Sequence, residues 1–267
     1  MASNTTERVG DFYAETYDTV VSDWPGEIDF YRDLARRAAD AGQAVLEVAC
    51  GTGRVAIRLA RDRVDVVGVD ISQAMLAIAR QKSAGMRNVR WVRADMRSFA
   101  LEETFGLAII PGHSFQNILT ADDQVATLRS IRRHLVPDGT LVVHLDHLSM
   151  HWLGELTGEL GGRFELAESF RHPTTGQLVR TQRAWSYEPA TQTAVSRVVW
   201  EAIDGGGELV ERWESGPLRF HCVFPFEMDH LLKRAGYVVR SVYGDFFRGK
   251  LRDASSEMVW VAGNGVG

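Results

Sequence analysis

The stretch V-L-E-V-A-C-G-T-G-R, Val45 to Arg54, decides the fold. A short apolar run ends in a glycine-rich turn, and the helix-favouring Val55-Ala56-Ile57-Arg58-Leu59-Ala60 follows at once, so the order is strand, tight loop, helix. Gly51 and Gly53 permit positive φ and let a ligand approach without a Cβ in the way. Gly51-x-Gly53-x-x-Ala56 also fits the dinucleotide fingerprint, in which a pyrophosphate sits on a helix N-terminus. Glu47 separates the two readings. A carboxylate ahead of the glycines repels a pyrophosphate and attracts a cationic or zwitterionic ligand.

Downstream, the apolar run Val64 to Val69 stops at Asp70. An acid at the end of a second strand, roughly 20 residues after the glycines, hydrogen-bonds ribose hydroxyls. The alternative makes Asp70 or Ser72 the cap of a helix carrying Met75, Leu76, Ile78 and Ala79. A third strand, Val89 to Ala94, ends in Asp95-Met96. There the carboxylate can take the exocyclic amine of an adenine while the thioether packs on its ring, or Asp95 can simply cap a turn. Phe105 to Ile110 is the fourth strand and runs into P-G-H-S-F-Q-N (Pro111 to Asn117), a loop rich in hydrogen-bonding side chains. Asp122 to His134 reads as a helix, Pro137-Asp138-Gly139 as a turn, and Leu141 to Leu145 as a fifth strand.

The alternation of strand and helix stops at Leu148. After a short helix centred on Trp152, period-two stretches at Leu178 to Tyr187, Ala194 to Ile203 and Leu209 to Cys222 indicate an antiparallel insertion, with turns at Pro189-Ala190-Thr191 and Gly205-Gly206-Gly207. It holds Trp152, Trp185, Trp200 and Trp213, an apolar face expected to act as a substrate lid or a dimer contact. The rhythm resumes with a helix from Phe226 to Ala235 and strands from Tyr237 to Tyr243 and Glu257 to Ala262. The domain reading is therefore 1–147 as N-terminal segment and cofactor-binding core, 148–223 as insertion, and 224–267 as the rest of the core.

A chain of 267 residues with 45% hydrophobic content can bury one core plus an insertion without disulfide or metal. Its two cysteines, Cys50 and Cys222, suit a reducing compartment. The first ten residues carry no apolar signal core, and no run is long enough to span a membrane, so a soluble cytoplasmic protein is expected. A net charge of -5 with interspersed signs argues against a nucleic-acid partner.

Taken together, E-V-A-C-G-T-G-R (Glu47 to Arg54), G-V-D-I-S with M-L (Gly68 to Ser72, Met75-Leu76), A-D-M-R (Ala94 to Arg97), I-I-P-G-H-S-F-Q-N (Ile109 to Asn117) and L-L-K-R-A-G-Y (Leu231 to Tyr237) resemble the class I S-adenosylmethionine-dependent methyltransferases. The insertion and the tyrosine-bearing N-terminal segment are similar to bacterial small-molecule enzymes of that class, including sugar-amine and glycine N-methyltransferases. The resemblance implies a Rossmann-like α/β three-layer sandwich whose seven-stranded, mostly parallel sheet has its last strand antiparallel. It implies S-adenosyl-L-methionine as cofactor, with the Glu47 to Gly53 loop on the methionine moiety, Asp70 on the ribose, and Asp95 with Met96 on the adenine. Around these it places Ala49, Cys50, Gly51, Arg54, Ile71, Met75, Pro111 and Tyr17 near the cofactor. Alanine at Ala49 departs from the family's usual glycine, and His144-Leu145-Asp146-His147 departs from its usual acidic and proline strand end.

An in-line methyl displacement needs alignment and exclusion of water, and an acceptor hydroxyl or ammonium must lose a proton. His113, beyond the fourth strand, is the candidate base, against an ordinary loop histidine bonded to backbone. Tyr13 is the second catalytic candidate, sharing a helix face with Tyr17. No metal is expected: His144 with Asp146 and His147 with His151 form two pairs that need not converge on one ion. The expected partner is a small-molecule methyl acceptor, with a homodimer as the possible assembly. A nicotinamide-dependent oxidoreductase and a methyltransferase-like binding protein without catalysis are the alternatives.

Overall fold

A computed structural model describes residues 2–264, with side chains from residue 10 onward. In chain order the elements are α1 (Ala2–Val20), α2 (Glu27–Asp40), β1 (Ala44–Val48), α3 (Ala56–Arg61), β2 (Val66–Asp70), α4 (Gln73–Lys82), β3 (Val89–Arg93), β4 (Phe105–Ile110), α5 (Ala121–Arg132), β5 (Leu135–Asp146), α6 (Met150–Leu156), β6 (Phe164–Arg171), β7 (Leu178–Glu188), β8 (Thr193–Ile203), β9 (Leu209–Glu214), β10 (Leu218–His221), α7 (Pro225–Arg234), β11 (Tyr237–Tyr243) and β12 (Glu257–Asn264). They form two compact units: one of residues 23–147 and 223–267, the other of residues 1–22 and 148–222. The N-terminal helix, read from sequence with the core, thus groups with the insertion.

The larger unit is a seven-stranded sheet ordered β11-β12-β5-β4-β1-β2-β3, in which β12 alone runs antiparallel to its neighbours. Its central strands are apolar on both faces because both are covered. Leu46, Val48, Ala108, Ile110, Val143 and Leu145 pack with α5 and α7, while Val45, Leu107, Ile109 and Val142 pack with α2 and α3. That period-two division of unbroken apolar runs is the sequence signature of a sheet between two helical layers.

The smaller unit is a five-stranded antiparallel sheet, β10-β8-β7-β6 with β9 paired to β8. Phe12 of α1 packs into it, stacked on Trp213 at 4.7 Å and edge-on to Trp200 at 5.5 Å. Trp152 instead meets Trp185 at 5.5 Å, so the four tryptophans form two clusters rather than one face. Three boundaries differ from expectation. Leu209 to Cys222 divides at Gly216-Pro217 into β9 and β10, because proline cannot donate to a ladder. β6, with exposed Leu166 and several charges, is an edge strand and lacks the alternation that marks its partners. Pro137-Asp138-Gly139 lies within β5 as an irregularity in its pairing with β4, so that strand begins at Leu135. No helix among the described residues is long and apolar enough to cross a membrane.

The loop after β1 shows why each glycine is there. A Cβ on Gly51 would meet nothing within 4 Å, which leaves the backbone open to a ligand. A Cβ on Gly53, at φ +76°, would lie 2.5 Å from the Trp91 ring of β3. Ala49 takes φ +57°, a region where a Cβ costs about 1–2 kcal/mol. Gly53→Ala is therefore expected to destabilise the protein by about 2 kcal/mol or more through backbone strain and the Trp91 clash. Denaturant unfolding of Gly53→Ala and of Gly53→Ala/Trp91→Phe, referred to Trp91→Phe alone, checks this. Full additivity of the two changes would show that the indole is not the obstacle.

Candidate functional site

The parallel strands place their carboxyl ends along one edge, where ligands of such sheets bind. A cleft of about 480 Å³ opens there, lined by Ala49, Asp70, Ile71, Asp95 and Met96. Arg97, Asn117, Ile118, Leu119, Thr120 and Asp123 complete it from the loop after β3, the loop after β4 and the start of α5. The hydrogen-bond-rich run after β4 signalled Asn117. Arg97 belongs to A-D-M-R, and the rest of this second group are of ordinary types with no motif to mark them.

Asp70 bridges two loops. Its Oδ2 accepts the Gly51 N–H at 2.8 Å and its Oδ1 the Ser72 N–H at 2.8 Å, while the Ser72 hydroxyl caps α4 through the Met75 N–H. The capping role therefore belongs to Ser72, and Asp70 braces the glycine loop with lone pairs left for a ligand hydroxyl. Asp95 accepts the Arg97 N–H at 2.9 Å and guanidinium hydrogen bonds of 2.6 and 3.0 Å. Those bonds from Arg97 lower its pKa, so it is an ionised acceptor at the cleft wall.

Glu47 lies beneath the loop, 1% exposed, and its Oε2 has no hydrogen-bond partner among the described residues. Burial pushes its pKa up to about 8, against the opposing pull of Arg54 and of a hydrogen bond from the Ala56 N–H. A buried, half-satisfied acid is costly unless something cationic or donating joins it. Arg54 does not fill that role: its guanidinium grips Glu27 at 2.5 and 2.8 Å and Asp23 at 2.7 Å. Cys50 and Met75 are buried among core side chains, and burial raises the Cys50 thiol well above its ordinary range, which leaves it inert.

Beyond β4, Gly112 and His113 take successive left-handed conformations, φ +64° and +62°. The turn brings His113 Nε2 to 2.7 Å from Glu257 Oε2, at the start of β12. His144 Nε2 of β5 reaches the same oxygen at 2.7 Å, and the two Nε2 atoms are 3.2 Å apart. Trp24 packs edge-on against both imidazoles, with ring centroids 4.9 and 4.8 Å away. Asp146 ends β5 nearby, its carboxyl raised by burial against the lowering effect of His113. His147 is bonded to the Ser255 carbonyl and His151 is exposed beside Glu155, so neither joins the group. Tyr13 and Tyr17 belong to the other unit, their rings edge to face at 5.7 Å. Tyr13 is 41% exposed, and an ordinary phenol is protonated at neutral pH, so it is a donor and not a base.

Residues 45–139 match the family model described as a methyltransferase domain. The structure is similar to that of the CcbJ methyltransferase from Streptomyces caelestis, with a TM-score of 0.78 and 25% identity over 96% of this chain and 98% of that one. Glycine/sarcosine N-methyltransferase of Halorhodospira halochloris is 26% identical over 96% of this chain and 91% of its own length. The dTDP-4-amino-2,3,4,6-tetradeoxy-D-glucose N,N-dimethyltransferase of Saccharopolyspora spinosa is 31% identical over 151 residues, which span 51% of this chain and 59% of that protein.

The residues fit S-adenosylmethionine: a half-satisfied acid under an open glycine loop, an acid ending β2, and an ionised Asp95 beside Met96 and Ile71. A cation beside Glu47 favours its carboxylate, so binding below pH 8 should expel the proton that burial holds there. Affinity should accordingly rise with pH and level off above about 8. Calorimetry of S-adenosylmethionine at pH 7 in buffers of different ionisation enthalpy should detect the released proton, and Glu47→Gln should abolish the Glu47 share. An identical proton count in wild type and variant would remove Glu47 from the cationic site.

Proposed function

We propose that this chain, which belongs to the S-adenosylmethionine-dependent methyltransferases, methylates an amine nitrogen of a small polar molecule. The observation that carries nitrogen is the partly buried pairing of His113 and His144 with Glu257 beside the ends of β4 and β5. An amine is an ammonium ion at neutral pH. It is drawn to negative charge and becomes nucleophilic only once a base removes its proton. A site holding two imidazoles, Glu257 and Asp146 answers both needs. The matches to glycine/sarcosine and amino-sugar N-methyltransferases support the same acceptor atom.

When bound, S-adenosylmethionine supplies an electrophilic methyl whose bonding pair returns to sulfur. The chain's own residues do the rest. Glu47 and the Gly51 backbone seat the amino-acid end, Asp70 the ribose, and Asp95 with Met96 the base, with Ile71 as an apolar wall. His113 receives the acceptor's proton, and Trp24 covers the imidazoles on one side. Alignment of the two reacting atoms supplies much of the acceleration in such displacements. The enzyme is proposed to be cytoplasmic, in keeping with two buried cysteines that are not joined in a disulfide. The exposed Leu166 and Leu209 of the inserted sheet are proposed as a homodimer contact.

Incubation of purified protein with S-adenosylmethionine and a panel of amino sugars, amino acids and phenols should yield mass-shifted products with the amines. His113→Asn should lower kcat by about 10²-fold or more with little change in cofactor affinity, the range for loss of a general base. Methylation confined to the phenols would overturn the amine reading.

A further inference from the structure

The three side chains His113, His144 and Glu257 bring their ligating atoms within 4.8 Å of one another, which is the spacing of a metal site. The outer hydrogen bond of His144 argues otherwise. A metal-ligating imidazole donates its second N–H to an acceptor. Here the second nitrogen, Nδ1, faces a donor, the Gly112 N–H at 3.3 Å. Nδ1 of His144 therefore carries the lone pair and Nε2 the proton, which points to Glu257. Burial lowers the His144 pKa, outweighing its hydrogen bond to Glu257, so the ring stays neutral near pH 7.

Glu257 Oε2 is then an acceptor shared by two rings. Burial raises its pKa, but the bonds from His113 and His144 outweigh that and bring it down to about 2, so it is ionised. His113 must also point an N–H at this oxygen, 2.7 Å from its Nε2. Its Nδ1 is left as the acceptor, with no hydrogen-bond partner among the described residues. The backbone holds the ring there under strain. His113 sits at φ +62°, a conformation unfavourable for a non-glycine residue, and the bond to Glu257 offsets it.

We propose that Glu257 is a positioning residue for methyl transfer: together with His144 it keeps the proton of His113 on Nε2, so that Nδ1 offers its lone pair to the acceptor ammonium. This rests on His113 being the base of the amine reading above. In the step, the ammonium N–H bond breaks, its pair stays on nitrogen as the nucleophile, and the proton forms a bond to His113 Nδ1. The resulting imidazolium faces the Glu257 carboxylate. Neutral His144 keeps a second positive charge out of the cluster. The other charged or titratable groups facing it are Asp146 and, towards His144, Glu27.

Nitrogen-15 spectra of the full-length protein without ligand report the tautomers directly. Both His113 and His144 should appear protonated at Nε2, and Glu257→Gln should blur that preference at His113. In methylation assays on an amine that the wild type accepts, Glu257→Gln should lower kcat about 10-fold to 100-fold and leave cofactor affinity unchanged. Its acid limb of kcat/KM should move to lower pH, because imidazolium loses its counter-charge, and Glu257→Asp should restore part of both. An Nδ1-protonated His113 in the wild type would overturn the proposal, as would stoichiometric zinc binding that displaces both Nε2 protons. A wild-type rate and pH profile in Glu257→Gln, alongside a slow His113→Asn, would overturn it while leaving His113 as base. Unchanged turnover in His113→Asn would overturn both.

Discussion

Burial of Glu47 at the end of the central strand is the constraint around which the site is arranged. Two apolar layers leave this acid almost no water, and the fold supplies a partner for only one of its oxygens. The nearest cation, Arg54, is drawn away by Glu27 and Asp23, and Asp23 is shared with Arg58. Had Arg54 turned towards Glu47, the acid would be satisfied and of no use to a ligand. The Arg54 to Glu27 pair is thus as much part of the site as the loop it anchors. Removing either partner would leave a buried charge uncompensated, the costly way to break an ion pair.

Much of the fold was legible because parallel strands covered on both faces must read as unbroken apolar runs, and those runs end in glycine or acid where the chain turns. Val66 to Val69 and Phe105 to Ile110 could be found for that reason, and Val45 to Val48 in spite of the charged Glu47 within it. The antiparallel sheet was less legible. β6 carries three charged side chains in eight residues and leaves Leu166 exposed, so it has no alternation to detect. Gly53 was legible as a special residue but for an incomplete reason, since its closest constraint is Trp91, 38 positions away and on another strand.

The site divides the same way. Glu47, Asp70 and Asp95 belong to local motifs, in which a strand end and the following turn are written within a few residues. Glu257 belongs to none. It meets His113 across 144 positions because β12 runs antiparallel beside β5, so its first residue lies level with Asp146 at the carboxyl end of that strand. The Arg97 grip on Asp95 could be suspected from A-D-M-R, but its geometry comes only with the turn. Nothing in the run from His144 to His151 shows that His144 joins the cluster while His147 and His151 do not. His144 lies within β5, whereas His147 follows the end of that strand and His151 lies on α6.

Charge unites the two halves. A sulfonium and an ammonium brought within about 4 Å would repel by about 4 kcal/mol at an effective dielectric near 20. Two remedies are built into the strand ends. Acids lie next to the end of β1, end β2 and β5 and begin β12, so four of the seven strands bring a carboxyl group to the edge on which both reactants must lie, while β3 ends in Arg93 and β4 in Ile110. The second remedy is chemical: an ammonium that has given its proton to His113 no longer repels anything, and the positive charge it leaves behind sits against Glu257. On the proposed amine reading, the carboxylates draw the two cations to one edge of the sheet, and the imidazole neutralises one of them before the reacting atoms meet. An oxygen acceptor would need the proton transfer but not the negative edge, so the edge itself favours nitrogen.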